Sequence, residues 1–403
     1  MRRPLEGLKV LDLTHGVAGP YCTMVLGDLG CDIIKIEKPE RGDATRYMNV
    51  SERFHTDIPR VGGDYFLAIN RNKRAISVEL KSTEGRKICE ELAAWADIVV
   101  QNFRPGVTER LGLDYQSLRK FNPRLIYGNI SAYGTEGNLS EKAGMDIAVQ
   151  ARSGVLRITG ASDSNEPVRP GSSLADFGGG IYLTTAILAA LYDRERTGMG
   201  QEVSVSLLDA TMSLLINYSV AVMDGQADVQ PLGSGHPQLV PYQAFPTADG
   251  HVVVATGTNK TYREFCGATE RPDLMVDPLF ASNQSRVKNR KAMVAQLAPV
   301  FQQKTTQAWI EILEAADIPC APVNDLRTAF AELAQTSPAM TQVVNHPGLG
   351  KLSQLGVPFK FSECEGDIRR PPPMLGEHNE EVLKGLLNRS DTDVAALRAA
   401  KVI

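Results

Sequence analysis

The sequence predicts an α/β fold: a mostly parallel sheet covered by helices on both faces in a large domain, with a smaller α+β domain following it. Three observations lead there. Short apolar strands alternate with helical stretches through the N-terminal half. The connections between them are short, as in βα units rather than hairpins. After Asp224 the texture turns polar and rich in Gly and Pro before a mixed region begins.

Taken in order, Leu8–Leu13 reads as a strand, Pro20–Leu29 as a helix and Asp32–Glu37 as a second strand. Pro just inside a helix start suits that position, because its missing N–H would have had no partner there. Ala75–Glu79 is a strand, Thr83–Ala96 a helix and Asp97–Gln101 a strand. In that helix Ile88, Leu92 and Trp95 share one face. Arg124–Ser131 follows as a strand, and Asp146–Gly154 begins another helix. A long helix is expected from Gly178 to Arg196, closed by Gly198 and Gly200. Strand Glu202–Leu207 and an apolar helix through Met212–Val222 complete the first part. Residues 225–240 read as a linker. Strand His251–Thr256 and helices near Thr261–Gly267, Val287–Lys304 and Thr306–Ala316 make up the rest of a second domain over 225–325. No repeats are found.

Composition narrows the function. The 403 residues are 43% hydrophobic and carry a net charge of −4, which allows a large core and shows no basic excess for nucleic acid. Six scattered cysteines (Cys22, Cys31, Cys89, Cys266, Cys320, Cys364) and six dispersed histidines form no ligand spacing, so no metal is expected. The opening MRRPLEGLKVLDLT runs straight into a strand and lacks a secretory h-region. With no apolar run of about 18 residues, no membrane span is expected, and the default location is the cytoplasm.

Four segments could carry chemistry. The first βα turn, Thr14-His15-Gly16-Val17-Ala18-Gly19-Pro20, offers a helix N-terminus to an anion, or is simply a tight turn; GxGxxG is absent. Asn70-Arg71-Asn72-Lys73-Arg74 reads as a solvated loop. Gln101-Asn102-Phe103-Arg104-Pro105-Gly106 follows a strand at the end where open α/β sheets bind ligands. It supplies an aromatic face, and Arg104 with Arg110 could meet phosphates. Asp176 precedes the long helix and is followed by Gly178, Gly179 and Gly180. As an N-cap it would be ordinary. The glycines, which weaken a helix start, suggest instead that a ligand approaches the backbone, with Asp176 attacking a carbonyl while nearby N–H groups hold the oxyanion.

Together these segments resemble the class III CoA-transferases, the family of formyl-CoA and carnitine CoA-transferases and α-methylacyl-CoA racemases. The resemblance covers nearly the whole chain. It runs through PLEGLKVLDLT and AGP at 18–20, DLGCDIIKIEKPERGD at 28–43, NRNKRAISVEL at 70–80 and NFRPG at 102–106. It continues through NPRLIYGNISAYG at 122–134, the Asp176 segment, RTGMGQEV at 196–203 and PPPMLGEH at 371–378. It implies a Rossmann-like large domain with its parallel sheet built from both chain ends (1–224 and 326–403), the small domain inserted between, and an interlocked homodimer.

The resemblance also assigns roles. Asp176 would be the nucleophile. Val17, Lys38, Val78, Asn102, Phe103, Arg104 and Arg110 match the family's CoA pocket. A CoA thioester would be the substrate, with no tightly bound cofactor. The racemases pair this aspartate with the His of a GHD motif, where the chain has Gly144-Met145-Asp146. A thioether cannot take a proton, which favours transfer over racemisation. Formyl-CoA enzymes have Gln at position 17 and Tyr near 145, so Val17 and Met145 point away from formate and oxalate. VPYQAFPTADGHVVVATG at 240–257 and the RPPPMLGEH ending are most similar to succinyl-CoA-dependent transferases of glutarate-like dicarboxylates. Arg46, Lys142, Arg169 and His236 are the candidate partners of a second carboxylate, with Met145 beside the substrate. A nicotinamide-dependent dehydrogenase, a silent CoA-binding protein and an acyl-CoA racemase are the competing readings.

Overall fold

Parallel pairing organises the N-terminal half of the computed structural model, which describes residues 1–51, 60–162 and 164–403. The first βα units are β1 (Lys9–Asp12), α1 (Ala18–Asp28), β2 (Asp32–Glu37), α2 (Asp64–Ile69), β3 (Lys73–Ser77), α3 (Thr83–Trp95) and β4 (Ile98–Gln101). Two short helices, α4 (Val107–Leu111) and α5 (Tyr115–Leu118), lead to β5 (Ile126–Ser131). Then come α6 (Asp146–Arg152), α7 (Val155–Ile158), α8 (Leu174–Thr197), β6 (Glu202–Ser206), α9 (Leu207–Leu214) and α10 (Ile216–Met223). β1 to β6 form one parallel sheet in the order β3-β2-β1-β4-β5-β6. The order reverses between β1 and β4, which is where such sheets open a ligand crevice at the strands' C-terminal ends.

Alternation along each strand builds two cores. Leu11, Ile34, Ile36, Ile76 and Val99 pack on one face with Ile88, Leu92 and Ala93 of α3. Val10, Ile33, Ile98, Val100 and Ile130 pack on the other with Cys22 and Leu26 of α1 and Leu183 and Ile187 of α8. Strands buried on both faces explain the nearly continuous apolar runs.

The chain clusters into two units: 1–155, 170–227 and 333–403 in the first, 156–169 and 228–332 in the second. The second unit holds an antiparallel sheet of β7 (Tyr242–Pro246), β8 (His251–Ala255) and β9 (Cys320–Pro322) in that order. Its core stacks Phe245 on Phe301 at 4.6 Å and sets Trp309 against Phe301 at 4.7 Å.

Several expectations need correcting. The parallel sheet is not built from both chain ends, since all six strands lie before residue 207. The C-terminal part instead adds an antiparallel pair, β10 (Thr341–His346) with β11 (Gly350–Leu355), and a segment along β3. There Ala75 N–H donates to His378 Nδ1 (3.1 Å) and His378 N–H to the Ala75 carbonyl (3.0 Å), while Ser77 N–H donates to Asn379 Oδ1 (2.8 Å). Residues 156–169, expected in the large domain, cluster with the second unit. α1 starts at Ala18, so Pro20 is its third residue; its missing N–H still falls among the amides a helix leaves unpaired. Among the described residues one helix, α8, is long and apolar enough to cross a membrane by length and composition, contrary to the sequence reading. Half of its most apolar stretch is buried inside the protein, and it packs on α1, α9 and β5.

Candidate active site

Buried charge underlies the site. Lys73 and Lys35, both fully buried, point toward the C-terminal end of β1. Lys73 Nζ is 3.0 Å from Asp12 Oδ2 and also donates to the Pro20 carbonyl (2.9 Å). Lys35 Nζ donates to the Thr14 carbonyl (2.6 Å) and lies 3.1 Å from Asp43 Oδ2. Burial acts against every charge here. For Asp12 the two ammonium groups and the Thr14 and Thr23 hydroxyls outweigh it, holding the carboxyl well below its usual range. For Lys73 burial wins, lowering its pKa to about 8. The run 70–74 is thus not a solvated loop. Arg71 grips Asp28 through Nε and Nη2 (2.9 and 2.7 Å), and Arg74 pairs with Asp32 and Glu381.

Over this base lie two clefts at the C-terminal ends of the strands. The first, about 400 Å³, is lined by Lys38, Val78, Phe103 and Arg110 together with His15, Leu13, Ile36 and Lys81. The second, about 430 Å³, is lined by Asn102, Phe103 and Arg104 with Lys142, Met145 and Ser131. Phe103 borders both. The structure therefore gathers six of the seven expected CoA residues around adjoining clefts; Val17, just before α1 and half-buried, lines neither.

His15 was not anticipated as a site residue. Its ring meets Phe103 edge-on at 5.6 Å, and Nδ1 lies 4.0 Å from Asp43 Oδ2. Burial, aided by Lys35, lowers its pKa. The available signal was position alone: His15 follows the first strand at the reversal of strand order.

Asp176 is the third residue of α8 and not its N-cap, because the helix begins at Leu174. The amides of the first turn are all engaged. Leu174 N–H donates to the Ser172 carbonyl and Phe177 N–H to that of Ser173. Ala175 and Asp176 N–H both donate to Asp146 Oδ1, at 3.0 and 3.4 Å. Gly178 onward enter the helix's own i→i−4 ladder. The expected oxyanion donors are therefore occupied within the protein. The glycines have a packing reason instead. An added Cβ would lie 2.5 Å from Leu207 Cδ2 at Gly179 and 2.7 Å from the Ala18 carbonyl oxygen at Gly180. Asp176 lines neither cleft, but Asp146, which caps its helix, directly follows Met145 of the second.

Of the four candidate carboxylate partners, Arg46 is excluded. Its guanidinium is fully buried, grips Glu37 through Nε and Nη2 (2.7 and 2.6 Å), donates to the Arg60 and Pro373 carbonyls and lies 3.6 Å over the Phe66 ring. No face is left for a substrate. Lys142 is exposed in the second cleft. Arg169 and His236 belong to the second unit, where His236 Nδ1 accepts from Gln238 N–H (3.1 Å) and its ring meets Tyr242 at 5.0 Å.

Comparison with known proteins adds to this geometry. The profile of CoA-transferase family III matches residues 5–379. The chain is 36% identical over 403 residues to the succinyl-CoA:glutarate CoA-transferase of Homo sapiens, covering 100% of this chain and 90% of that one. It is 36% identical to the acetyl-CoA:oxalate CoA-transferase of Acetobacter aceti, covering 94% and 95% respectively. Among solved structures, a CAIB/BAIF family protein from Brucella suis superposes with a TM-score of 0.83 at 33% identity, covering both chains completely.

Proposed function

The chain belongs to CoA-transferase family III, and from that premise we propose that it moves CoA from succinyl-CoA to a small dicarboxylic acid such as glutarate through a covalent intermediate on Asp176. The observation that carries this reading is the end-to-end similarity to a succinyl-CoA:glutarate CoA-transferase. The placement of Phe103 with cationic Lys38 and Arg110 in one cleft supports it: an aromatic face suits the adenine ring and the cations suit phosphates. Asn102, Arg104 and Val78 complete the CoA surface, with Val17 at the turn beside it.

The chemistry follows from the carboxylate. Asp176 attacks the donor thioester carbonyl; a C–O bond forms, the C–S bond breaks, and CoA leaves as thiolate beside a mixed anhydride. The thiolate attacks the aspartyl carbonyl of that anhydride, releasing succinate and leaving an aspartyl-CoA thioester. The acceptor carboxylate attacks this thioester, freeing the thiolate again. Thiolate attack on the acceptor's acyl carbon then yields the new acyl-CoA and restores Asp176. No net charge or oxidation change accumulates, and the anhydrides survive only if water is kept out. Lys142 and Met145 line the second cleft, which supports a role for them at the acceptor's far end. Ile216, Val220 and Met223 on α10 are more than 70% exposed, which supports a second copy of the chain as partner in a homodimer.

The test is to incubate the protein with succinyl-CoA alone, trap with hydroxylamine, and map the modified peptide by mass spectrometry. Modification at Asp176, lost in Asp176→Ala, is expected; an unmodified Asp176 across several acyl-CoA donors sinks the mechanism. Oxalate is the second acceptor to assay, given the similarity to the Acetobacter aceti enzyme.

A further inference from the structure

We propose that Asp146 is a positioning residue for Asp176, acting as the cap of α8 from a different helix; its kinetic consequence rests on the transferase reading above, its structural one on geometry alone.

A helix leaves its first amides without partners, and a side chain at the residue before it ordinarily supplies an acceptor. On α8 that residue, Ser173, makes no side-chain cap bond. The acceptor comes instead from 30 residues upstream. Asp146 Oδ1 takes the Ala175 N–H at 3.0 Å and the N–H of Asp176 itself at 3.4 Å. Its other oxygen, Oδ2, accepts from Gln150 Nε2 at 2.7 Å, one turn along α6, and Gln150 is fully buried. One end of the carboxylate is therefore anchored in the packed interior of α6. The other holds the backbone from which the nucleophile projects. A carboxylate at a helix N-terminus is also favoured by the helix dipole.

Displacing a nucleophile by about 1 Å can cost on the order of a hundredfold in rate. Freed of Asp146, the first turn of α8 would fray, and Asp176 would sample positions from which attack fails. CoA binding at the first cleft would be little affected, because its side chains stand on β2, on α4 and on the loops after β1 to β4, and none on α6. The acceptor role needs only an oxygen. Asn at this position keeps one, and Ala does not.

The experiment compares full-length wild type, Asp146→Ala and Asp146→Asn by amide hydrogen exchange over 173–178 and by steady-state kinetics with succinyl-CoA and glutarate. In the Ala variant the first-turn amides are expected to exchange at least about tenfold faster, and kcat to fall about a hundredfold, with the donor KM within about threefold of wild type. The Asn variant should recover kcat to within about tenfold of wild type. Unchanged exchange in Asp146→Ala, unchanged kcat, or an Asn variant as impaired as Ala would overturn the proposal. A wild type with slow first-turn exchange but no transfer to any acceptor would refute the transferase reading instead, while the exchange comparison still decides the role of Asp146. If the Ala variant does not fold, Gln150→Ala removes only the anchor and is expected to show the same exchange and kcat pattern at about tenfold; no change in either measure would count against the idea.

Discussion

Asn102 and His15 are bonded to each other twice: the Asn102 side chain donates to the His15 carbonyl at 2.6 Å and accepts the His15 N–H at 2.9 Å. The pair ties the loop after β4 to the loop after β1, across the point where strand order reverses. Both residues line clefts at that crevice. Asn102→Ala removes both bonds, each contributing about 1 kcal/mol. The expected result is a KM for the CoA thioester raised by up to about thirtyfold, since about 1.4 kcal/mol is one decade, with kcat less affected. Steady-state kinetics at saturating acceptor would read it.

Gly180→Ala separates packing from ligand access as the reason for the glycines of α8. The new methyl would meet the Ala18 carbonyl, a backbone atom of α1 that cannot move aside cheaply. Overpacking of this kind costs about 1–3 kcal/mol. A lowered urea midpoint is expected. Unchanged stability with a raised KM would return the glycines to a ligand role.

Arg46→Ala should act on stability. It leaves Glu37 buried and uncompensated, a loss of about 3–5 kcal/mol, which is a large part of a typical folding stability of about 5–15 kcal/mol. Chemical denaturation should show the loss, while any folded fraction should keep its KM for the acceptor. A raised acceptor KM at full stability would overturn the structural role given to this residue.

Stability should also fall on mild acidification. His15, His346 and His378 all have pKa values lowered mainly by burial. The unfolded chain takes up protons near pH of about 6.5, where the folded chain still refuses them. Unfolding is then favoured as pH drops, so the histidine contribution is fully present above about 6.5 and is lost as pH falls through the folded values. A melting temperature that is flat near neutrality and declines below about pH 6.5 is expected. His378→Asn, which keeps an acceptor for Ala75 N–H but does not titrate, should flatten the decline; an equally steep profile would exclude His378 as a contributor.

What the sequence reveals of this architecture depends on how far apart interacting residues lie along it. β2 falls on the residues its apolar pattern marks, Asp32–Glu37, and α3 within one residue of its expected end. β3 is displaced by two residues because Lys73 and Arg74 look like loop. Their carboxylate partners, Asp12 and Asp32, lie 61 and 42 residues away, so nothing local marks those cations as paired. The start of α8 is missed for the same reason, its capping carboxylate being 30 residues upstream. Arg46 misleads in the opposite direction: a lone arginine after a strand resembles an anion site until its bonds to Glu37 are seen. Only Phe103, Arg104 and Arg110 announce themselves locally, as an aromatic and two cations after a strand.

The C-terminal segment along β3 bears on the solubility of the whole protein. β3 is the last strand of the parallel sheet on its side, and an uncovered strand there would present unpaired amides and carbonyls to other chains. His378 and Asn379 occupy part of that edge through their bonds to Ala75 and Ser77. The segment around His378 and Asn379 thus acts as a selvedge on a sheet woven entirely from strands that lie before residue 207. Stripping those bonds from the edge would show as molecules joining edge to edge.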